Sequence, residues 1–396
     1  MYAHQIHRWF YTGSMNGARS SHTASVLING KVLVTGGING TVLNSTELYD
    51  PLTGTWTVSG NMNKARFYHT ASVLTNGKVL VTGGDTGTAT NLHSVKSCVS
   101  FKKILTTINN MNNMRNSSKA SVSKNESILV TTGHNSSELY DLSTEAWTIS
   151  GSMNDERSFH TASVLPNGKV LVAGGINTGY LKSAELYDPT TGAWTITGSM
   201  NDARVFHSAT VLTNGKVLVT GGFQVDRAKN SAELYDPSTG IWTPTGDMND
   251  GRIFHAATLL SNGKVLVTGG DTGESALKSV ELYDPTTEVW VTSTSMNEAR
   301  MYHTMSLLTN EKVLVVGGYN GDRMNSSELY DTSTDTWTID SSMNDARDVH
   351  QTSIFTDGKV LATGGFADVD TNIGLKSAEL YIPSTVLTNV KLLINV

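Results

Sequence analysis

An all-β fold of repeated four-stranded units is predicted by three features of the 396-residue sequence. Gly-Gly pairs recur at intervals of 47 or 48 residues, apart from one gap of 91 that has Thr132-Gly133 at the expected place. A Met-Asn-x-x-Arg signature, first seen at Met15 and last at Met343, gives eight units. The segments between these signatures show strand-like alternation, Asn-Gly and Asp-Pro turns, and no helical period.

Each unit contains four short strand-like pieces, named a to d in chain order. In the unit that begins at Met200, strand a is predicted over 206–212 and strand b over 216–222, joined by the hairpin turn Asn214-Gly215. A variable loop leads to strand c over 231–237, and a turn from Asp236 to Gly240 leads to strand d over 241–246. The four pieces are therefore expected to form one antiparallel sheet.

A single sheet of this size cannot bury both of its faces, and radial stacking of such sheets around an axis solves that problem. The sequence therefore predicts a β-propeller, built as one domain over residues 1–396. Eight four-stranded blades are expected, with seven as the alternative. Trp9 precedes Met15 by the interval that separates Trp194 from Met200. The N-terminal strand around Trp9 is thus expected to complete the last blade, whose unit has no tryptophan after strand c, and to close the ring.

The motif order resembles that of the kelch repeat: Gly-Gly, then Tyr, then Trp, closed by Met-x-x-x-Arg. The resemblance covers nearly the whole chain, and the form LxNGKVLVTGG is similar to the central kelch propeller of galactose oxidase-like proteins. One portion, residues 94–133, is degenerate but keeps the register, with Leu105 at the Trp position, Ser118 at the His position and Lys96 at the Glu position. We expect it to be the least stable sector.

Composition excludes several classes of function. The formal net charge of -6 argues against a nucleic-acid partner. No apolar run is long enough to span a bilayer and the start lacks a secretory signal pattern, so no membrane association and a cytoplasmic location by default are expected. The single cysteine, Cys98, excludes a disulfide framework and a cysteine-based zinc cluster. A monomer without a cofactor is expected.

Residues that recur in every unit are predicted to be scaffold, because a single active site needs one copy of each group. The recurrent tryptophans are assigned to packing between blades, and the recurrent histidines to structural roles rather than metal binding. The recurrent Arg and Glu are expected to form partly buried pairs between strands or blades. The tryptophans are Trp56, Trp147, Trp194, Trp242, Trp290 and Trp337. The histidines are His22, His69, His160, His207, His255, His303 and His350.

Residues that vary between units are the candidates for function. In a propeller the d–a and b–c loops share one face, and the b–c loops differ most from unit to unit. Their most distinctive members are Phe223, Asp226, Arg227, Tyr319, Asp322, Arg323, Phe366, Asp368 and Asp370. The residue before the recurrent His is often aromatic, at Tyr68, Phe159, Phe206, Phe254 and Tyr302. These aromatic residues, Phe206 among them, are expected near the axial mouth of the same face, with packing between blades as an equal alternative.

The kelch resemblance implies a non-enzymatic binding scaffold that recognises a protein or peptide through the d–a/b–c loop face. A second hypothesis is binding of a glycan or small ligand at the axial mouth, with Tyr68 and Tyr302. A third is a galactose oxidase-like copper radical oxidase, suggested by the pairs Tyr68-His69 and Tyr302-His303. Those enzymes also use a cysteine cross-linked to a tyrosine and a histidine from a C-terminal domain. Cys98 lies away from strand a and no such domain is evident, so the third hypothesis is disfavoured. No catalytic, cofactor or metal residues are therefore assigned.

Overall fold

The computed structural model describes residues 8–27, 30–62, 65, 67, 70–73, 79–82, 120–122, 127–130, 136–141, 146–155, 157, 159–366 and 374–383. Within these ranges all regular secondary structure is β-strand, and no helix could cross a lipid bilayer.

The strands of the first half of the chain are β1 (Arg8–Tyr11), β2 (Thr23–Val26), β3 (Val32–Thr35), β4 (Ile38–Asn39), β5 (Thr41–Val42), β6 (Ser45–Asp50), β7 (Thr55–Asn61), β8 (Thr70–Val73), β9 (Val79–Thr82), β10 (Ala120–Val122), β11 (Ser127–Val130), β12 (Ser136–Asp141), β13 (Ala146–Ser152), β14 (Thr161–Val164), β15 (Val170–Ala173), β16 (Ala184–Asp188) and β17 (Ala193–Thr197). Those of the second half are β18 (Ser208–Val211), β19 (Val217–Thr220), β20 (Phe223–Gln224), β21 (Arg227–Ala228), β22 (Ala232–Asp236), β23 (Ile241–Pro244), β24 (Ala256–Leu259), β25 (Val265–Thr268), β26 (Val280–Asp284), β27 (Val289–Ser293), β28 (Thr304–Leu307), β29 (Lys312–Val316), β30 (Ser327–Asp331), β31 (Thr336–Ile339), β32 (Gln351–Ile354), β33 (Val360–Thr363) and β34 (Ala378–Ile382).

These strands form antiparallel sheets that follow the repeat. Numbered in chain order, sheet 1 is β2-β3-β6-β7, sheet 3 is β10-β11-β12-β13, sheet 4 is β14-β15-β16-β17 and sheet 5 is β18-β19-β22-β23. Sheet 6 is β24-β25-β26-β27, sheet 7 is β28-β29-β30-β31 and sheet 8 is β32-β33-β34-β1. Sheet 2 shows only β8-β9 within the described residues. The kelch-type propeller predicted from the sequence is confirmed, while eight complete blades and a single domain over 1–396 stay predictions.

The two ends of the repeat array meet in sheet 8. Strand β1 pairs with β34, so that Trp9 lies opposite Tyr381, with ring centroids 5.2 Å apart. The first strands of neighbouring sheets lie side by side, and β2 of sheet 1 also lies beside β32 of sheet 8. The first strands therefore line the axis of the molecule. Most of the degenerate portion 94–133 falls outside the described residues, as do Lys96, Leu105 and Ser118.

The core consists of layers between neighbouring sheets. One such layer joins Leu171 and Ala184 of sheet 4 to Val217 and Val219 of sheet 5. Where both side chains are described, the Trp of strand d packs against the Tyr opposite it on strand c, as at Tyr235 and Trp242, whose ring centroids lie 5.1 Å apart. Trp242 Nε1 also donates a hydrogen bond to the Gly198 carbonyl of sheet 4, at 2.8 Å. This contact agrees with the predicted packing role of the tryptophans.

Candidate functional site: the axial mouth

The residue that precedes each recurrent His has an unusual backbone conformation. Its φ lies between 49° and 56° in all six sheets where it is described, at Ser21, Phe159, Phe206, Phe254, Tyr302 and Val349. Residues other than glycine, asparagine and aspartate rarely adopt this left-handed region, and bulky residues are sterically strained there. Because of this turn, β18 begins at Ser208 rather than at the predicted residue 206. The six side chains lie just outside the axial strands, at the mouth of one face.

The Gly-Gly pair supports this turn from two sides. A Cβ on Gly222 would lie 2.9 Å from the Val205 carbonyl oxygen of its own sheet, and a Cβ on Gly221 would lie 2.4 Å from the Arg252 carbonyl oxygen of the next sheet. The Gly222 amide donates to that same Arg252 carbonyl at 2.9 Å. Only glycine allows both approaches, so the pair joins strand b to the mouth turns of two neighbouring sheets.

A buried Arg–Glu pair holds the loop beneath the mouth. Arg204 Nη2 donates to Glu233 Oε1 at 3.0 Å, while Arg204 Nη1 donates to the carbonyls of Gly221 and Ser231 at 2.8 and 2.7 Å. The other carboxylate oxygen of Glu233 accepts the backbone amide of Asn201 at 2.6 Å. The predicted pairing is confirmed, although both partners are fully buried and belong to one sheet.

The same contacts decide the charge state of the pair. In sheet 1, burial lowers the pKa of Arg19, while Glu47 opposes the shift. Burial alone would raise the pKa of Glu47, but the amide hydrogen bonds from Gly17 and Asn16 and the contact with Arg19 hold it below its usual value. The Arg19–Glu47 pair, 2.7 Å apart, is therefore ionised at neutral pH.

The recurrent histidines connect neighbouring sheets. His255 Nε2 makes hydrogen bonds with Ser208 Oγ at 2.9 Å and Thr220 Oγ1 at 3.1 Å, both in the preceding sheet. His350 Nε2 makes the same kind of contact with Thr304 Oγ1 at 3.0 Å. Burial, and then the nearby Arg, lowers the pKa of His255 and of His350 to about 3. These imidazoles are neutral and structural, in agreement with the sequence analysis.

Four of the six mouth side chains form a continuous aromatic arc, defined as Phe159, Phe206, Phe254 and Tyr302. Successive ring centroids lie 4.5, 4.6 and 4.3 Å apart, and the rings are tilted by 32° to 60° to each other. All four side chains are partly exposed. The arc crosses sheets 4 to 7, and the other described positions around the mouth are Val349 and Ser21. Phe206 thus lies at the axial mouth and also packs between neighbouring sheets, so both positions considered in the sequence analysis apply to it.

A second apolar layer supports the arc from within the loop face. Phe223 is fully buried and packs with Val205 and Ile253, and the arc residues of sheets 4 to 6 pack against this cluster. Tyr180 of the neighbouring loop approaches the Phe223 ring with centroids 6.2 Å apart. Burial, and then the carboxylate of Asp226, raises the pKa of Tyr180. Phe223 therefore positions the arc from beneath and is not itself exposed.

The structure separates the predicted loop residues into two groups. Asp226, Arg227 and Asp322 are exposed at loop tips, where they are accessible to a partner. Tyr319, Arg323 and Phe366 are largely buried side chains of one cluster. Arg323 Nε donates to Asp348 Oδ1 at 2.8 Å, and its guanidinium carbon lies 5.4 Å from the centroid of the Phe366 ring. Tyr68, Asp368 and Asp370 lie outside the described residues.

Asp348 is a residue of this face that the sequence analysis missed. Its equivalents in sheets 5 to 7 are Val205, Ile253 and Met301, so the signal was an acidic residue where the three preceding units carry an apolar one. Burial raises the pKa of Asp348, although Arg323 opposes the shift. This ion pair fixes the loop between sheets 7 and 8.

Within the described residues, the donors do not form the copper centre of the third hypothesis. The described parts of the chain contain no group of three or more His, Cys, Asp or Glu side chains that could hold a metal ion. His303, which follows Tyr302 in one candidate pair, has its Nε2 in a hydrogen bond with Thr268 Oγ1 at 2.9 Å. The other candidate pair, Tyr68-His69, and Cys98 lie outside the described residues. No step of copper chemistry is therefore derived for this chain.

Comparisons with known proteins agree with the repeat. Residues 159–365 match the model of the KLHDC2/KLHL20/DRC7 Kelch-repeats domain, and residues 19–63 match the Kelch motif. A fungal alcohol oxidase of the AA5 family, solved in complex with copper, is similar in structure with a TM-score of 0.70 and 17% identity. That alignment covers 96% of this chain and 76% of the oxidase, and at this identity it shows the fold alone. No curated protein gives a significant match.

Proposed function

The chain belongs to the kelch-repeat family, and on that premise we propose that it is a non-enzymatic binding scaffold that recognises a protein or peptide. Kelch-repeat domains generally mediate protein–protein interactions. The proposed binding surface is the d–a/b–c loop face, centred on the axial mouth. The aromatic arc and the exposed loop residues Asp226, Arg227 and Asp322 form its main contacts.

The aromatic arc is the observation that carries this proposal. Four neighbouring rings stay partly exposed at one end of the axis, although the surrounding sheets bury most other large apolar side chains of that end. Each ring sits on a backbone turn that costs conformational energy for a bulky residue. Aromatic side chains supply much of the binding energy at protein interfaces because they bury a large apolar area with little loss of rotamer freedom. A central aromatic patch surrounded by polar loops is the usual anatomy of a protein interface.

Selection of peptides on the full chain tests the proposal. A displayed library of random peptides is selected on the immobilised protein, and the affinities of enriched peptides are measured for three proteins. These are the unchanged chain, the F206A/F254A double variant of the arc, and an I241A/V289A control that removes two exposed apolar side chains from outer strands. We expect enriched peptides to lose at least about tenfold in affinity for the arc variant and to keep it for the control. Equal binding by all three proteins, or no enrichment, would overturn the proposal.

A glycan is the second candidate, and the partly exposed Tyr302 at the end of the arc favours it. Tyr302 combines a ring that can stack on a sugar face with a hydroxyl that can hydrogen-bond to it. A glycan array probed with the unchanged chain and with Y302F separates the candidates. Specific oligosaccharide binding that Y302F weakens, together with no peptide enrichment, would favour this second function.

A further inference from the structure

Resting on the proposed function, we propose that the occupant of the axial mouth is a positively charged side chain of a peptide or protein partner. A lysine or arginine of the partner would lie against the aromatic arc, and its charge would be attracted by the carboxylates of the same face. This inference rests on two independent features: the aromatic arc and an excess of carboxylates on the same face.

The excess of carboxylates arises around the recurrent buried Arg, together with the acidic side chains that contact it. In sheet 6, Arg252 Nη2 lies 2.7 Å from Glu281 Oε1 and 3.5 Å from Asp250 Oδ2. One guanidinium therefore faces two carboxylates. The buried Glu281 neutralises Arg252, which leaves the charge of Asp250 uncompensated within the cluster.

This second carboxylate is present in sheets 4 to 8 and absent from sheet 1. It belongs to Asp155, Asp202, Asp250, Glu298 and Asp345, whose side chains are 27% to 47% exposed. In sheet 1 the corresponding residue is Gly17, and the mouth residue there is Ser21. Sheets 4 to 7, which carry the arc, therefore all carry the additional negative charge as well. We name these five residues the carboxylate ring.

Basic groups on the same face neutralise only part of the ring. Lys229 pairs with Asp202 at 3.0 Å, and Arg323 is already paired with Asp348. Four further basic residues are exposed on the b–c loops, namely Lys182, Arg227, Lys278 and Lys376. Asp226, Glu274 and Asp322 add exposed carboxylates to those loops. On the described loops of this face acidic side chains outnumber basic ones, and the excess is clearest around Phe254 and Tyr302.

A cation suits both features. The face of an aromatic ring attracts a cation through its quadrupole, and an arginine guanidinium also stacks on the ring plane. A face with an excess of one sign of charge attracts and steers an oppositely charged ligand. An acidic peptide would be repelled by the carboxylate ring, and a neutral sugar would gain no charge attraction from it. The positively charged side chain is therefore the occupant that uses the arc and the carboxylate ring together.

Three pools of fluorescein-labelled random hexapeptides test the inference. One pool contains Lys and Arg with Gly and Ser, one contains Asp and Glu with Gly and Ser, and one contains neutral polar residues only. Anisotropy titrations of the full chain are run at about 0.05 M and about 0.5 M salt. We expect the cationic pool to bind at least about tenfold more tightly than the others at low salt, and to lose most of that advantage at high salt.

Two variants locate the effect. D250N/E298Q removes two charges of the ring while it keeps the size of both side chains, and the matched control E288Q removes an exposed charge from a c–d turn of the opposite face. We expect D250N/E298Q to weaken binding of the cationic pool about threefold or more and E288Q to leave it unchanged. Circular dichroism of each variant verifies the fold before titration.

The outcomes separate the inference from the proposed function. Peptide binding that F206A/F254A weakens, but that shows no preference for the cationic pool or no change in D250N/E298Q, overturns the inference and leaves the scaffold function standing. No binding of any pool, with glycan binding at the mouth instead, overturns both. A preference for cations that survives F206A/F254A places the cation elsewhere on the face and also overturns the inference.

Discussion

The two sides of the axial mouth share one backbone and differ in their side chains. On the arc side, in sheets 4 to 7, the left-handed position holds three phenylalanines and a tyrosine in contact with each other. On the other described side, in sheets 8 and 1, the same position holds Val349 and Ser21 with φ of 49° and 51°. Both sides keep the buried Arg–Glu pair and the buried His.

This difference teaches that the scaffold and the surface are specified by separate residues. The Arg, the His and the Gly-Gly pair determine the backbone of the mouth in the six sheets whose mouth turn is described, whatever side chain the turn presents. The residue at the turn can therefore vary with little consequence for the fold, and an asymmetric surface results from a symmetric frame. Four predictions test this separation.

The largest expected effect is loss of stability when either side loses its buried Arg. Arg252→Met on the arc side and Arg19→Met on the other side each leave a buried carboxylate, Glu281 or Glu47, without its cation. We expect each to lower the free energy of unfolding by about 3–5 kcal/mol in urea titrations. The control Lys264→Met breaks only a partly exposed ion pair with Asp284, 3.2 Å long, and should cost less than about 1 kcal/mol. A loss on one side only would contradict the shared frame.

The next effect is a common dependence on pH. Burial holds the pKa of His255 and of His350 near 3, whereas an unfolded histidine titrates near about 6.5. Between these values the unfolded chain binds more protons, so stability is complete above about pH 6.5 and falls as the pH is lowered toward 3. Each such His should contribute a slope of up to about 1.4 kcal/mol per pH unit.

Urea titrations between pH 7 and about pH 5, above the usual range of carboxylates, measure this slope. His255→Gln and His350→Gln should each flatten it, because glutamine does not titrate. An unchanged slope in both variants would show that folding does not lower the pKa of these histidines.

A smaller effect, on binding alone, distinguishes the two sides. Phe254→Ala removes the ring that contacts both Phe206 and Tyr302, and we expect about a tenfold loss of peptide affinity by anisotropy. Val349→Ala truncates the equivalent residue outside the arc and should leave the affinity within about twofold. Equal losses would mean that the whole mouth, rather than the arc, makes the contact.

The smallest effect concerns the turn itself. Asparagine adopts a positive φ more readily than a β-branched residue, so Val349→Asn should raise the free energy of unfolding by about 0.5–1 kcal/mol. Phe254→Asn gains the same backbone relief but loses two ring contacts, so it should be destabilising overall. Thermal unfolding of the two variants compares them directly. A loss of stability in Val349→Asn would show that the packing of the valine side chain contributes more than the backbone strain costs.

Much of the site could be anticipated because repetition reveals which residues belong to the frame. The aromatic residues before the histidines and the Arg–Glu pairing both followed from comparing units within one chain. The roles of Phe223, Tyr319, Arg323 and Phe366 could not be derived in this way. The b–c loop sequences differ between units both where a side chain faces solvent and where it is buried under a neighbouring loop. Sequence variation therefore does not distinguish the two cases.

The sequence by itself determined the sheet order of the repeat, the strand types and the propeller, because a short four-stranded unit with this turn chemistry can bury its faces only against copies of itself. It also identified the histidines as structural from their repetition. Only the tertiary structure decided that Phe206 belongs to a continuous arc and that Phe223 lies beneath it. The physical reason is that the ring contacts of the arc join different sheets, between side chains about 47 residues apart in the chain. The contacts of Phe223 likewise join its b–c loop to the mouth turns of its own and the next sheet, so both depend on tertiary packing and not on a local pattern.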